Sequence, residues 1–172
     1  IVEAFRPGVV KRLGIDYDTV AARNPRIVYC AISAFGQQGP WRDKPSHDLG
    51  VQALAGTLDL SRGFSDDKPN MPNLVAADLA SSLTALSAIL MALLAREKTG
   101  KGDYIDIAMY DSLLAWTPNI TGTVFAEAKA PVPHEMRNYG GQAMNRIYET
   151  KDDQYIVLAG SEAKFSENLL RA

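Results

Sequence analysis

Hydrophobic positions fall into two distinct periods along the chain. Arg26 to Ser33 (RIVYCAIS) is a nearly continuous β-branched and apolar run, which predicts a strand buried on both faces, as in a parallel sheet. Tyr104 to Met109 predicts a second buried strand. Between them, from Asp78 to Glu97, Leu79, Leu83, Leu86, Leu90 and Leu93 recur at helical spacing, with Ala and Ser on the remaining faces. That pattern predicts a long helix buried all round. Ser81, Ser82, Thr84 and Ser87 dilute its apolar stretch below the ~18–20 residues of a membrane span. A core helix is therefore expected, with no membrane partner.

Turn and cap residues place the shorter elements. Arg6-Pro7-Gly8 ends an opening strand, Val9 to Gly14 predicts a short helix closed by glycine, and Asp16 to Arg23 predicts another, halted before Asn24-Pro25. Phe35 to Pro40 reads as a loop leaving a strand's carboxyl end, where open α/β sheets bind ligands. A helix is predicted from Ser46 to Ala55, an exposed loop from Ser61 to Pro72, and a helix from Asp111 to Trp116. Ala126 to Arg137 lacks periodicity. Arg146–Glu149 and Tyr155–Ala159 then predict a hairpin around Lys151-Asp152-Asp153-Gln154, with a helix from Ser161. The expected class is α/β: a partial Rossmann-like large domain over 1–130, a linker over 131–139, and the start of a small α+β domain over 140–172.

Composition narrows the function. With 172 residues, 47% hydrophobic and 22% charged, the chain is a globular domain in its proportions. Its 18 Lys and Arg against 20 Asp and Glu leave a net charge of −2. This excludes binding of nucleic acid by bulk charge, though not a local basic patch for a phosphorylated ligand. The single cysteine, Cys30, excludes a disulfide framework and a multi-cysteine zinc site. A buried free thiol in a reducing, cytoplasmic compartment is expected. The opening Ile1-Val2-Glu3-Ala4 carries no signal-peptide pattern and no initiator methionine, so the chain reads as a stretch of a longer protein.

Few chemical motifs are present. His47 and His134 are far apart, no metal-ligand spacing occurs, and Walker, Gly-x-Ser-x-Gly and Gly-x-Gly-x-x-Gly patterns are missing. The acid–base candidates are His47 beside Asp48, Asp78 before the long helix, and Glu162 before the last one. Each has a structural alternative: Asp78 as an N-cap, His47 as a satisfied histidine at a helix start, Glu162 as a first-turn partner of the helix dipole.

Arg6-Pro7-Gly8 with Arg12-Leu13-Gly14, Asn24-Pro25-Arg26, Phe35-Gly36-Gln37 and Gly39-Pro40 resemble the family III CoA-transferases of the CaiB/BaiF type. His47-Asp48, Asp78 and Arg96 through Gly102 (REKTGKG) continue in that family's order. Within the family the pattern is most similar to the α-methylacyl-CoA racemase branch, whose histidine, aspartate and glutamate fall on His47, Asp78 and Glu162. The resemblance implies a coenzyme A thioester as substrate, with Arg6 and Arg12 at its phosphates, no metal, and an interlocked homodimer. It also implies α-carbon epimerisation of a 2-methylacyl-CoA through an enolate. The N–H groups opening the Asp78 helix would serve as oxyanion donors. CoA transfer between carboxylic acids, through an anhydride and a thioester on Asp78, is the alternative; a non-catalytic CoA-binding subunit is a third. Asn145 stands where racemases often carry tyrosine, Val75-Ala76-Ala77 is one residue longer than their approach to the helix, and Asn138 to Gln142 coincides with the glycine-rich lid of many transferases.

Overall fold

The computed structural model describes residues 1–62 and 68–171. In chain order the elements are β1 (Val2–Glu3), α1 (Val9–Leu13), α2 (Tyr17–Arg23), β2 (Val28–Ser33), α3 (Asp48–Leu54), α4 (Thr57–Leu60), α5 (Ala76–Thr99), β3 (Asp103–Ala108), α6 (Met109–Ala115), α7 (Pro118–Glu127), two 3-10 turns (Pro133–Glu135 and Arg137–Tyr139), β4 (Asn145–Glu149), β5 (Tyr155–Ala159) and α8 (Ala163–Arg171). They form two compact units: Ile1–Gly56 with Pro72–Pro118, and Thr57–Met71 with Asn119–Ala172.

The first unit is built on a parallel sheet in the order β1-β2-β3. Central β2 is the buried strand its composition predicts: Tyr29, Cys30 and Ala31 are all but inaccessible. Its side chains alternate between faces. Cys30 packs with Ile107 and with Ala85 of α5, whereas the Tyr29 ring meets Tyr17 of α2 on the other side. Helices therefore cover both faces, as a parallel sheet requires. The free Cys30 thiol is pushed above its usual pKa, chiefly by burial. Strand β3 departs from expectation. Like β1, it is an edge strand of the described sheet, with Ile107 its one buried residue and Tyr104 exposed.

Helix α5 corrects the sequence reading most. It is not buried all round, and the leucine stripe is not its inner face. Ala77, Ala80, Ser81, Ala85 and Ala92 are buried, while Leu79, Leu83, Leu86 and Leu90 are 42–52% exposed. Small side chains let the helix axis approach the sheet closely, so the alanine face goes in and these four leucines go out, while Leu93 is half-buried. At 24 residues it is also long and apolar enough to cross a membrane, contrary to the estimate from its serines. Its alanine face nonetheless packs on β2 and β3 as a core helix does. Val51, Ala77 and Leu113 form a second small core joining α3, α5 and α6.

In the second unit β4 and β5 pair antiparallel as predicted, with Thr150 and Gln154 closing the turn through a 2.8 Å backbone hydrogen bond. Helix α8 begins at Ala163, two residues beyond the predicted start. The short α4 and α7 were not legible as helices. Of the loop predicted for Ser61 to Pro72, residues 63–67 lie outside the described residues.

Candidate active site

The carboxyl ends of all three parallel strands open onto one cleft of about 480 Å³ in the first unit. Phe5 and Arg6 follow β1, Ser33 and Ala34 end β2, and Met109 follows β3. The side of the cleft formed by α5 carries Asp78, Ser81 and Ser82. A larger cavity of about 660 Å³ lies in the second unit, between α7 and the 3-10 turns. None of the predicted site residues lines it. The smaller cleft is the better candidate because it combines the strand ends with His47, Asp78 and a set of cations.

Asp78 stands in the first turn of α5, not at its N-cap; that position is Val75, which offers no capping side chain. The capping alternative for Asp78 is therefore excluded. The cap comes from another helix: Asp48 Oδ1 accepts the backbone N–H of Ala77 at 2.8 Å and that of Asp78 at 3.2 Å. These two N–H groups are consequently taken, and the oxyanion role expected of them is corrected. The Asp78 carboxyl is exposed to the cleft yet held above its usual pKa, first by desolvation and then by the Asp48 charge, with His47 opposing.

His47 is the N-cap residue of α3; its side chain makes no capping hydrogen bond and lines the cleft beside Ser46. Asp48, next in sequence, turns inward and is buried. The pair thus splits: one residue faces the cleft and the other braces α5.

Arg6 lines the cleft and is exposed. Arg12, on α1, is not part of the lining but lies next to it across Gly8. A Cβ at Gly8, whose φ is +84°, would stand 3.9 Å from both Arg12 Nη1 and Arg42 Nη2. Both guanidinium groups therefore lie close to Gly8, where the left-handed backbone, and not a lack of space, favours glycine. Arg42 and Lys44 complete the cations of the lining, and sequence reasoning missed both. The available signal was their place directly after the Phe35–Pro40 loop. That segment is well anchored: Trp41 packs edge-on against Phe35 at 5.2 Å and against Tyr110 at 5.9 Å, and Lys44 sits over the Trp41 ring.

Glu162 belongs to the second unit, exposed and immediately before α8, where its carbonyl accepts the Phe165 N–H. It is outside the helix rather than in its first turn. Nearby, Asn145 Nδ2 donates to the Arg137 carbonyl at 2.9 Å. Gly140 has a φ of +89°, and a Cβ on Gly141 would overlap the Glu135 carbonyl, so both glycines serve the local turn. Among the described residues no group of three His, Cys, Asp or Glu side chains is arranged to hold a metal ion.

Comparison with known proteins identifies the family. The chain is 35% identical over 166 residues to acetyl-CoA:oxalate CoA-transferase of Acetobacter aceti, covering 96% of the chain and 42% of that protein. It is 29% identical over 165 residues to the mouse (Mus musculus) succinyl-CoA:glutarate CoA-transferase, covering 96% and 37%. The chain thus spans about two fifths of the length of these curated relatives. Among solved structures, a CaiB/BaiF family protein from Brucella suis superposes with a TM-score of 0.81 at 30% identity, over 99% of this chain and 45% of that one. The orthorhombic form of Rv3272 from Mycobacterium tuberculosis gives a TM-score of 0.81 at 30% identity, over 99% and 43%. Both curated relatives bear the names of CoA-transferases, and a particular closeness to the racemase branch is not shown. The model of CoA-transferase family III matches residues 1–172, the whole length of this sequence, and the chain belongs to that family.

Proposed function

We propose that this chain carries the catalytic aspartate of an enzyme that moves coenzyme A between carboxylic acids, with Asp78 as nucleophile. The observation that carries this reading is Asp78 itself: a cleft-facing carboxylate whose charge is disfavoured, on a braced helix turn, among Arg6, Arg42 and Lys44. The CoA-transferase activities of the two curated relatives support the same choice over epimerisation.

In the proposed reaction an Asp78 oxygen attacks the thioester carbonyl carbon. A C–O bond forms, the C–S bond breaks, and its electron pair leaves with the CoA thiolate. The thiolate then attacks the Asp78 carbonyl of the anhydride, releasing the first carboxylate and leaving an Asp78–CoA thioester. An acceptor carboxylate repeats the sequence in reverse. Each step makes or displaces an anion, so the cations of the cleft have a direct task. Arg12 and Arg42, converging at Gly8, suit a CoA phosphate, since guanidinium forks match phosphate oxygens. Arg6 and Lys44 are left for the carboxylate or the second phosphate.

Epimerisation stays as the second reading because His47 shares the cleft with Asp78, as an opposed base would. Glu162 would assist His47 in that reading. The homodimer implied by the family resemblance belongs to both.

One experiment separates the two. The protein is incubated with a 2-methylacyl-CoA in deuterated water, with no acceptor acid, and then treated with hydroxylamine. Transfer predicts no deuterium at the α-carbon, hydroxylamine trapping at Asp78, and turnover only after an acceptor is added. Deuterium uptake without a trapped Asp78 species overturns it in favour of epimerisation.

A further inference from the structure

The brace beneath Asp78 is stronger than a helix cap requires. A neutral Ser, Thr or Asn side chain satisfies a first-turn N–H equally well. Here the cap is a buried carboxylate, brought from α3 across thirty residues of sequence. Gln52, one turn further along α3, donates from Nε2 to Asp48 Oδ2 at 2.6 Å and to the Leu74 carbonyl at 3.0 Å. Both Asp48 oxygens are thereby engaged, and one amide ties α3 to the chain entering α5. Burying an ionised carboxylate is costly unless its hydrogen bonds are made, and these make them.

A fixed charge at this place acts on its neighbour. The charged and titratable groups facing Asp78 are Asp48 and His47 from α3, with Arg6, Arg42 and Lys44 on the rest of the cleft. Among these Asp48 alone is anionic, and its hydrogen bonds to Ala77 and Asp78 prevent it from swinging away.

We propose that Asp48, braced by Gln52, is a positioning residue for Asp78, which fixes the turn that aims the nucleophile and sets a buried negative charge beside it. Acylation makes Asp78 neutral and its former charge leaves on the CoA thiolate, so the repulsion between the two carboxylates is relieved as the anhydride forms. The inference rests on the proposed acyl transfer for its kinetic consequence, while the electrostatic coupling stands independently of it.

Asp48→Asn tests it, because an amide oxygen still caps Ala77 and Asp78 while the charge is removed. Expected outcomes are a kcat for acyl transfer roughly tenfold lower with KM for acyl-CoA nearly unchanged, and an acid limb of the pH profile moved to lower pH. The Asp78 carboxyl resonance, followed by NMR in the full chain and assigned with Asp78→Asn, should titrate at lower pH in the variant. An unmoved Asp78 midpoint overturns the proposal, as does a loss carried by KM. If Asp48→Asn does not fold, the wild-type titration decides. The Asp78 carboxyl then has to titrate above the ordinary aspartate value, and a midpoint at or below that value overturns the coupling. A wild-type protein that transfers no acyl group refutes the proposed reaction, and the carboxyl titrations still decide the brace.

Discussion

Asp106 on β3 accepts the backbone N–H of Gln37 with both carboxylate oxygens, at 3.1 and 2.9 Å. The Gln37 carbonyl in turn accepts Arg42 Nε at 2.9 Å. An exposed acid on an edge strand thus positions, through the backbone of one residue, a guanidinium at the cleft. Asp106→Ala should weaken acyl-CoA binding several-fold by releasing Arg42, with a stability loss of only about 1 kcal/mol because the site is solvated. Calorimetric titration with acyl-CoA and urea unfolding measure the two effects.

Arg12 and Arg42 make the paired prediction for the phosphate. Either one changed to Ala should reduce acyl-CoA affinity and flatten its dependence on salt, with the fold intact. The double variant should lose less than the sum of the two, since both guanidinium groups face the same place over Gly8. Full additivity, or affinity unchanged in both single variants, would return them to the solvated surface.

Asp78→Asn and Asp48→Ala should separate chemistry from scaffold. The first should abolish turnover by orders of magnitude while leaving the thermal midpoint almost unchanged, because Asp78 caps nothing with its side chain. The second strips the acceptor from two N–H groups and from Gln52, and should cost about 2–4 kcal/mol. A stable Asp48→Ala variant would show that water replaces the brace.

The raised pKa of Asp78 has a definite sign in the stability of the fold. Between the ordinary aspartate value and the raised one, the folded chain binds more protons at this site than the unfolded chain. This site's contribution therefore falls as pH rises through that window and returns as pH falls back through it. Asp78→Asn removes the dependence. Comparing urea unfolding of the two proteins across the acid range tests the slope.

The two faces of α5 give a packing prediction. Ala85→Leu forces extra volume between the helix and Cys30 and Ile107, and should cost about 1–3 kcal/mol. Leu86→Ala, on the exposed face, should change stability in this chain by only about 0.5 kcal/mol. Equal losses would mean that the leucine face is also packed.

Local signals determined much of this protein. The β-branched run of β2 specifies a strand buried on both sides whatever surrounds it, since such a run suits no half-solvated position. Gly14, Asp16 and the Asn24-Pro25 pair end or start helices through backbone geometry alone, and the β4–β5 hairpin follows from its alternation and turn. The ordered motifs from Arg6 to Gly102 were likewise enough to place the chain in its family. Other features required the assembled fold. Period alone cannot rank two apolar faces of one helix, and only the closeness of α5 to the sheet chose alanine over leucine as the inner face. No spacing rule joins Asp48 to the N–H groups of residues 77 and 78, because that contact exists only once α3 and α5 are packed together. Arg42 becomes a site residue for the same reason: Asp106, distant in sequence, holds the loop that aims it at Gly8. Helix and strand identity are set by neighbours along the chain, whereas a cleft is set by neighbours in space.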